Sequence, residues 1–240
     1  MPALTLDEAV EVFVRSFSHV KSRYGEFVAL RSSGLWVLQD GPGRRRPQRK
    51  AEAVAIDLAP EEAVRAANGS GVGWHFLVDV RPGDSDDVTP EYKRLGYRKV
   101  GTETLFVHDL SAVPRFDSVP PVHKIASAAD LASVPQRASQ PRKYYEGADL
   151  YCVHDDTTDH GWVERIRTGA FSYPSSLYVH AGSRGRGFGR ALMSRLLEDD
   201  AADGVRASVV VASPAGARLY PHLGYEKAAV MQIFCPKTRP

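Results

Sequence analysis

Seven consecutive residues, Arg184-Gly185-Arg186-Gly187-Phe188-Gly189-Arg190, interleave three cations with three glycines where an apolar strand gives way to a helix. The strand is Leu177-Tyr178-Val179. The helix carries Leu192, Leu196 and Leu197 at helical spacing and stops near Gly204. A helix start presents unpaired backbone N–H groups and the positive end of the helix dipole. Glycines let an anion approach the main chain closely, and arginines add charged donors. The chemistry this favours is phosphate binding. Which phosphate is narrowed by what is missing. No lysine followed by serine or threonine closes the loop, so it is not the P-loop of a nucleoside triphosphatase. The glycines run G-x-G-x-G, and no acidic residue closes the next strand, Ala207 to Ala212, where a dinucleotide fold would hold its ribose.

What remains is R-x-x-G-x-G, read at Arg184, Gly187 and Gly189. A strand at Ser208 to Ala212 follows, and then ASPAGARLYPHLGYEKAAVMQIF, beginning at Ala212, with Tyr220, Leu223, Gly224 and Tyr225 in a short helix and its exit. Strand, loop, helix and strand make a βαβ-type unit. Over this last third the chain resembles the GNAT superfamily of N-acetyltransferases. The resemblance implies the GNAT acyl-CoA N-acyltransferase fold, an α/β (α+β mixed sheet) architecture. It also implies acetyl-CoA as cosubstrate and direct transfer of the acetyl group to a primary amine. By the same resemblance the cofactor-binding residues are Leu177, Val179, Arg184, Gly185, Arg186, Gly187, Phe188, Gly189, Arg190 and Ser213. Ala181 and Ser213 stand where the family often has proline and asparagine, which leaves backbone binding of the pyrophosphate intact.

That reaction sets requirements of its own. The amine must attack as a free base, so a proton acceptor or water chain is needed. Glu164, in the strand before Leu177, is one candidate and an exposed partner of Arg165 or Arg167 is its plainer reading. His180, beside the loop, is another candidate, and Tyr173, Ser175 and Ser176 could carry a water relay. A backbone N–H of the Leu177–Val179 strand is the candidate donor to the developing oxyanion. Tyr220 is the matched donor to the leaving thiolate, and N–H groups at the start of its helix are expected to lower the phenol's pKa. The alternative function is a non-catalytic acyl-CoA-binding or sensing protein of the same fold.

The elements that must position these groups run through the whole chain. Leu6, Val10, Phe13, Val14 and Phe17 share one helical face, with Thr5 or Asp7 as cap. Phe27 to Leu30 and Leu35 to Gln39 read as a hairpin turning at Ser33-Gly34. The loop GPGRRRPQRK, residues 41 to 50, reads as a solvated hairpin tip, with nucleic-acid binding through Arg44 to Lys50 as a third reading. Ala53 to Ile56 and Phe76 to Val80 read as strands and Pro60 to Ala67 as a helix. Tyr92-Lys93-Arg94-Leu95-Gly96-Tyr97-Arg98-Lys99 aligns without a gap on Tyr220 to Lys227, and Phe106 falls on Phe234. This is an internal repeat. Residues 1–110 are therefore expected to form a degenerate GNAT-like lobe. Its loop position has no glycines or arginines and carries Glu61 and Glu62, which would repel a phosphate. Residues 111–122, proline-rich, read as a linker, and residues 123–240 as the acetyltransferase domain. A helix from Ser127 towards Arg137 and a hairpin of Leu150 to Val153 with Trp162 to Arg167 lead to the loop strand. Arg142, Lys143, Tyr144 and Tyr145 are expected near the acceptor entrance. His154 to His160, dense in His and Asp, could ligate a metal but also sits where the hairpin must turn; no metal is expected.

The 240 residues carry a net charge of +2, with 43% hydrophobic and 25% charged residues. That balance implies no pull towards nucleic acid or an anionic membrane. No apolar run approaches the roughly 20 residues that span a bilayer, and two cysteines are too few for a disulfide framework. The expected setting is cytoplasmic, with a small-molecule or peptide amine as partner, no nucleic acid or membrane, and a homodimer as a compatible assembly.

Overall fold

The computed structural model describes residues 4–42, 49–83, 87–116, 120–134, 145, 147–155 and 158–238. In chain order the elements are α1 (Leu6–Ser22), β1 (Phe27–Ser32), β2 (Leu35–Asp40), β3 (Ala51–Ile56), α2 (Pro60–Gly69), β4 (His75–Pro82), α3 (Thr89–Arg94) and β5 (Tyr97–His108). They continue with β6 (His123–Ile125), α4 (Ala128–Ser133), β7 (Ala148–His154), β8 (Asp159–Thr168), β9 (Phe171–Val179), α5 (Phe188–Ala202), β10 (Ala207–Ala212) and β11 (Glu226–Pro236). Among the described residues no helix is long and apolar enough to cross a membrane.

Two compact units divide the chain. The N-terminal unit comprises Thr5–Phe106, Val211–Ala217 and the chain from Lys227 onward; the C-terminal unit is chiefly Val107–Val210 and Arg218–Glu226. The N-terminal unit's sheet runs β1-β2-β3-β4-β11-β5. The last strand of the chain is thus built into the first unit, antiparallel to β4 from Ala229↔Pro82 to Phe234↔Leu77. The hairpin turns at Ser33 and Gly34, both left-handed, with φ of 51° and 82°. Thr5 and Glu8 close a reciprocal capping box at the start of α1. One core layer packs Ala53, Ala55 and Leu77 of the sheet against Ala63 and Ala67 of α2, with Tyr92, Tyr97 and Phe234.

In the C-terminal unit the order is β10-β9-β8-β7-β6. The β7–β8 hairpin turns tightly, Asp155 N–H donating to the Thr158 carbonyl at 2.9 Å and Thr158 N–H to the Asp155 carboxylate at 2.8 Å. The expected turn is therefore present at His154–His160. α5 buries Leu192, Leu196 and Leu197 completely. It ends before Gly204, which takes φ +70° and bonds back to Ala201. Cys152 and Cys235 are both buried, and neither is in a disulfide. The expected contacts of Arg142, Lys143 and Tyr144, the arginine run at 44–46 and the far end of the α4 helix fall outside the described residues.

The two segments that align in sequence share local geometry. Gly96 and Gly224 each follow a short helical turn with φ +83°. Tyr92 meets Tyr97 edge-on at 6.2 Å and 66°, and Tyr220 meets Tyr225 edge-on at 5.4 Å and 78°.

Candidate functional site

The loop begins where β9 ends. β9 is nine residues long, not the three that its apolar end suggested, because Ser172, Pro174, Ser175 and Ser176 read locally as breakers. Two of them are devices. Ser176 is left-handed, φ +57°, and between the pairs Trp162↔Tyr178 and Glu164↔Ser175 strand β9 has one more residue than β8. That is a β-bulge at Ser176–Leu177, which re-aims the backbone and takes one residue out of the ladder. On its other side β9 runs parallel to β10 for only two pairs, Ala207↔Phe171 and Ser208↔Ser172. Beyond Ser172 the two strands part, and Pro174 and the bulge lie past that point. The result is a strand, Ser175–Val179, whose backbone is not consumed by a neighbouring strand on the β10 side.

After Val179 the chain makes a 3-10 turn, Ala181–Ser183, and enters α5 through Gly185 (φ +75°) and Gly187 (φ +84°). Only glycine takes these conformations without steric cost. Gly187 is the N-cap and supplies no capping side chain, and the first bond into the helix is Ala191 N–H to the Gly187 carbonyl at 2.9 Å. The N–H groups of Phe188, Gly189 and Arg190 therefore have no partner inside the helix. The space where Gly182 and Gly185 would carry a Cβ is open. Arg184 Nε donates to the Val179 carbonyl at 3.1 Å, Arg186 lies over the Phe188 ring at 4.9 Å and Arg190 over Phe116 at 4.8 Å. An anion placed here would meet uncapped N–H groups and the positive helix end, with three guanidiniums around it. The donor set fits the pyrophosphate of CoA.

Support for the loop comes from residues that suggested a metal. His160 stacks on Phe188 at 4.5 Å and 6°, while its Nδ1 sits 2.9 Å from Ser183 Oγ and its Nε2 3.1 Å from Asp155. Both ring nitrogens are thus engaged by protein groups. Gly189 packs between Leu219 and Val179, each 3.7 Å from where its Cβ would stand. Gly161, opposite Val179, has no room for a Cβ, which would enter the Tyr178 carbonyl oxygen and lie 3.1 Å from Val179 Cα.

Glu164 is half-buried in β8, opposite Ser175, at the edge of the bulge. Its neighbour Arg165 is 2% exposed, bonded to Asp149, Asp200 and Asp203. Glu164 and Arg165 are adjacent in a strand and so point to opposite faces. His180 is buried beside Trp162 and Tyr178, and among the described residues its Nε2 has no hydrogen-bond partner, Asp159 Oδ2 standing 3.6 Å away.

Tyr220 opens a 3-10 turn, Tyr220–Leu223, and is 5% exposed. The expectation that helix N–H groups lower its pKa is reversed: burial pushes the phenol up to about 12. Sequence reasoning also missed the buried chain beneath it. Arg165 donates to Asp200 at 3.2 Å, Ser172 Oγ bonds Asp200 and lies 3.0 Å from Ser208 Oγ, and Ser208 Oγ lies 2.8 Å from the Tyr225 hydroxyl. Burial raises the Asp200 carboxyl to about 6 against the opposing pull of Ser172 and Arg165. Ser172 and Ser208 are the last paired residues of β9 and β10, so this chain pins the root of the fork. The only sequence trace of it is serine inside two otherwise apolar strands. Ser213 Oγ accepts from Gly216 N–H at 3.3 Å and shapes its own turn.

A fork between parallel strands and a bulge lie in the strand that leads to a glycine-arginine loop and an uncapped helix, and the fold is the GNAT fold. Residues 146–227 match the model of the acetyltransferase (GNAT) domain. No curated protein matches the chain by sequence. Among solved structures it is similar to a GCN5-related N-acetyltransferase from Kribbella flavida, with a TM-score of 0.58 and 14% identity over 94% of this chain and 95% of that one. It is also similar to a GCN5-related N-acetyltransferase from Sphaerobacter thermophilus, at 0.56 and 16% over 85% and 77%.

Proposed function

We propose that the chain is an acetyl-CoA-dependent N-acetyltransferase that loads one CoA, in residues 123–240, and acetylates a primary amine. The observation that carries this reading is that β9, which leads to the Arg184–Arg190 loop, pairs with β10 only as far as Ser172 and Ser208. Gly185, Gly187, Phe188, Gly189 and Arg190 would hold the pyrophosphate through main chain and charge, with Arg184 and Arg186 beside them. Leu177 and Val179 would hold the pantetheine arm by backbone bonds. Ser213 enters the cofactor set through the family pattern. Bound acetyl-CoA supplies an activated acetyl thioester. The bulge at Ser176–Leu177 offers an N–H to negative charge developing on the carbonyl oxygen. Glu164 takes the amine proton, directly or through water, with His180 as the other candidate. Tyr220, neutral at all physiological pH, donates a hydrogen bond to the departing sulfur.

Residues 1–110 are read as a degenerate GNAT-like lobe. The parallel strands that correspond to β9 and β10 are β3 and β4, and these are zipped over six pairs, Ala51↔His75 to Ile56↔Val80. No fork opens between them. Glu61 and Glu62 occupy the first turn of α2, where their charge would oppose a phosphate. Tyr92, the counterpart of Tyr220, spends its hydroxyl on Asp79 at 2.7 Å. Titration calorimetry with acetyl-CoA should give one site per chain, and Gly187→Glu should abolish it with the fold retained by circular dichroism. Two sites, or unchanged affinity in the folded variant, would refute the assignment; turnover with a panel of amines separates the enzyme from a silent acyl-CoA binder.

A further inference from the structure

The N-terminal unit contains a cation-lined groove that the acetyl-transfer site does not use. Lys50 directly precedes β3, Trp74 precedes β4 and Phe76 lies in it, Arg98 lies in β5, and Pro236 and Lys237 mark the end of β11. Together they line a cavity of about 340 Å³. A second cavity of about 440 Å³ shares Lys50 and Trp74 with it and runs along Gln39, the ion pair of Asp40 and Arg49, Ala51 and the turn Gly71-Val72-Gly73.

In the smaller cavity the charge is one-sided: among the described residues no carboxylate lines it. Arg49 and Asp40, which line the larger cavity, pair with each other, and elsewhere in this unit Arg81 pairs with Asp79 and Lys99 with Asp87. Lys50, Arg98 and Lys237 line the smaller cavity without an acidic partner among the described residues, the Lys237 ammonium donating to the Lys93 carbonyl at 3.4 Å, and a bound anion would supply the missing countercharge. Lys50 is also held in place. Its ammonium lies 4.8 Å from the Trp74 ring centre and 5.2 Å from that of Phe76, and the two rings meet edge-on at 5.1 Å. In the adjoining turn, Gly69, Gly71 and Gly73 have open space where a Cβ would stand, so a ligand can lie against the main chain. The volumes are in the range of small-ligand sites.

We propose that this groove binds a nucleoside phosphate, with Lys50, Arg98 and Lys237 on the phosphate oxygens and the nucleoside beside Trp74 along the glycine turn. Cations alone would serve an acidic peptide equally; the aromatic wall and the open glycine turn favour a ligand with a flat ring. The basic run at residues 41–50, read from sequence as a solvated tip, thus contributes its last residue, Lys50, to a site.

The test is ATP titrated against intrinsic tryptophan fluorescence of the full chain, in wild type and in Gly187→Glu, which leaves the groove untouched. A saturable change should appear in both and vanish in Trp74→Phe, which keeps a ring. Lys50→Glu and Arg98→Glu, both at exposed positions, should each raise the half-saturating ATP concentration at least about tenfold, one decade of affinity per lost charge contact. Adenosine should bind at least about tenfold more weakly than ATP on the same ground. The proposal is overturned by no saturable change up to roughly 10 mM ATP, a free energy weaker than about 3 kcal/mol. It is equally overturned by a signal lost in Gly187→Glu and kept in Lys50→Glu, or by polyglutamate binding more tightly than ATP.

Discussion

Replacing Tyr220 by phenylalanine keeps the ring, and with it the edge-on contact to Tyr225 at 5.4 Å, while removing the hydroxyl. Burial holds that phenol near a pKa of about 12, against about 8.5 for a free thiol. Full proton transfer from Tyr220 to a departing thiolate is then uphill by about 3.5 units, or about 5 kcal/mol at 1.36 kcal/mol per unit. Such a step is too costly to be the main contribution, so the role proposed for Tyr220 is that of a hydrogen-bond donor that keeps its proton. A hydrogen bond to a charged acceptor contributes about 1.5–3 kcal/mol, which converts to a loss in kcat of between about tenfold and about 150-fold. The loss should appear equally in kcat and kcat/KM, as for an interaction made only in the transition state, with the Kd for acetyl-CoA unchanged. The pH profile follows from the same shift. A raised folded pKa keeps Tyr220 neutral until the pH nears 12, so its ionisation produces no basic limb in kcat below about pH 11. Stopped-flow measurement of the chemical step with a reactive amine, from pH 6 to 11, provides the assay. Wild-type kcat in Tyr220→Phe would show that the hydroxyl is structural. A basic limb near pH 10 that disappears with the mutation would refute the burial argument.

Gly161→Ala should force β8 and β9 apart at Val179 and cost about 1–3 kcal/mol by overpacking. Scanning calorimetry should then show Tm lowered by about 2–12 °C for a chain of this size, together with weaker acetyl-CoA binding; no change in either contradicts the contact. Gly224→Ala combines a left-handed backbone with a Cβ 2.8 Å from His108 Nε2, whereas Gly96→Ala meets the same φ with nothing within 4 Å. Each should lose about 1–2 kcal/mol for the backbone. Gly224→Ala should lose measurably more in urea unfolding, and equal losses would remove any role for the His108 contact.

The loop was legible because its signal is local: glycines, arginines and a leucine stripe lie within one short stretch, and each acts where it stands. The capping box of α1, the Ser33-Gly34 hairpin and the stop at Gly204 are local in the same way. What escaped depends on what lies across the sheet. The first half of β9 reads as loop, since serines and Pro174 disfavour strand until a neighbour is known; the fork makes proline and bulge tolerable there. The raised pKa of Tyr220 is a property of the atoms packed round it, not of its position in a turn. The bonds joining Asp200, Ser172, Ser208 and Tyr225 link four elements distant in sequence, and no spacing rule predicts them. His160 reads in sequence as part of a hairpin turn, and its neighbours in space, Phe188 and Ser183, come from the far side of β9 in the chain.

The placement of β11 sets an order on how this protein comes into being. β4 and β5 are made early, yet the strand that stands between them is made only after residues 109–225. While the ribosome is still translating those residues, the facing edges of β4 and β5 lack that partner, and the N-terminal unit cannot close as an autonomous domain. Completion of the first unit therefore waits on the arrival of residues 226–236. A chain that stops short of them leaves open the sheet at its beginning.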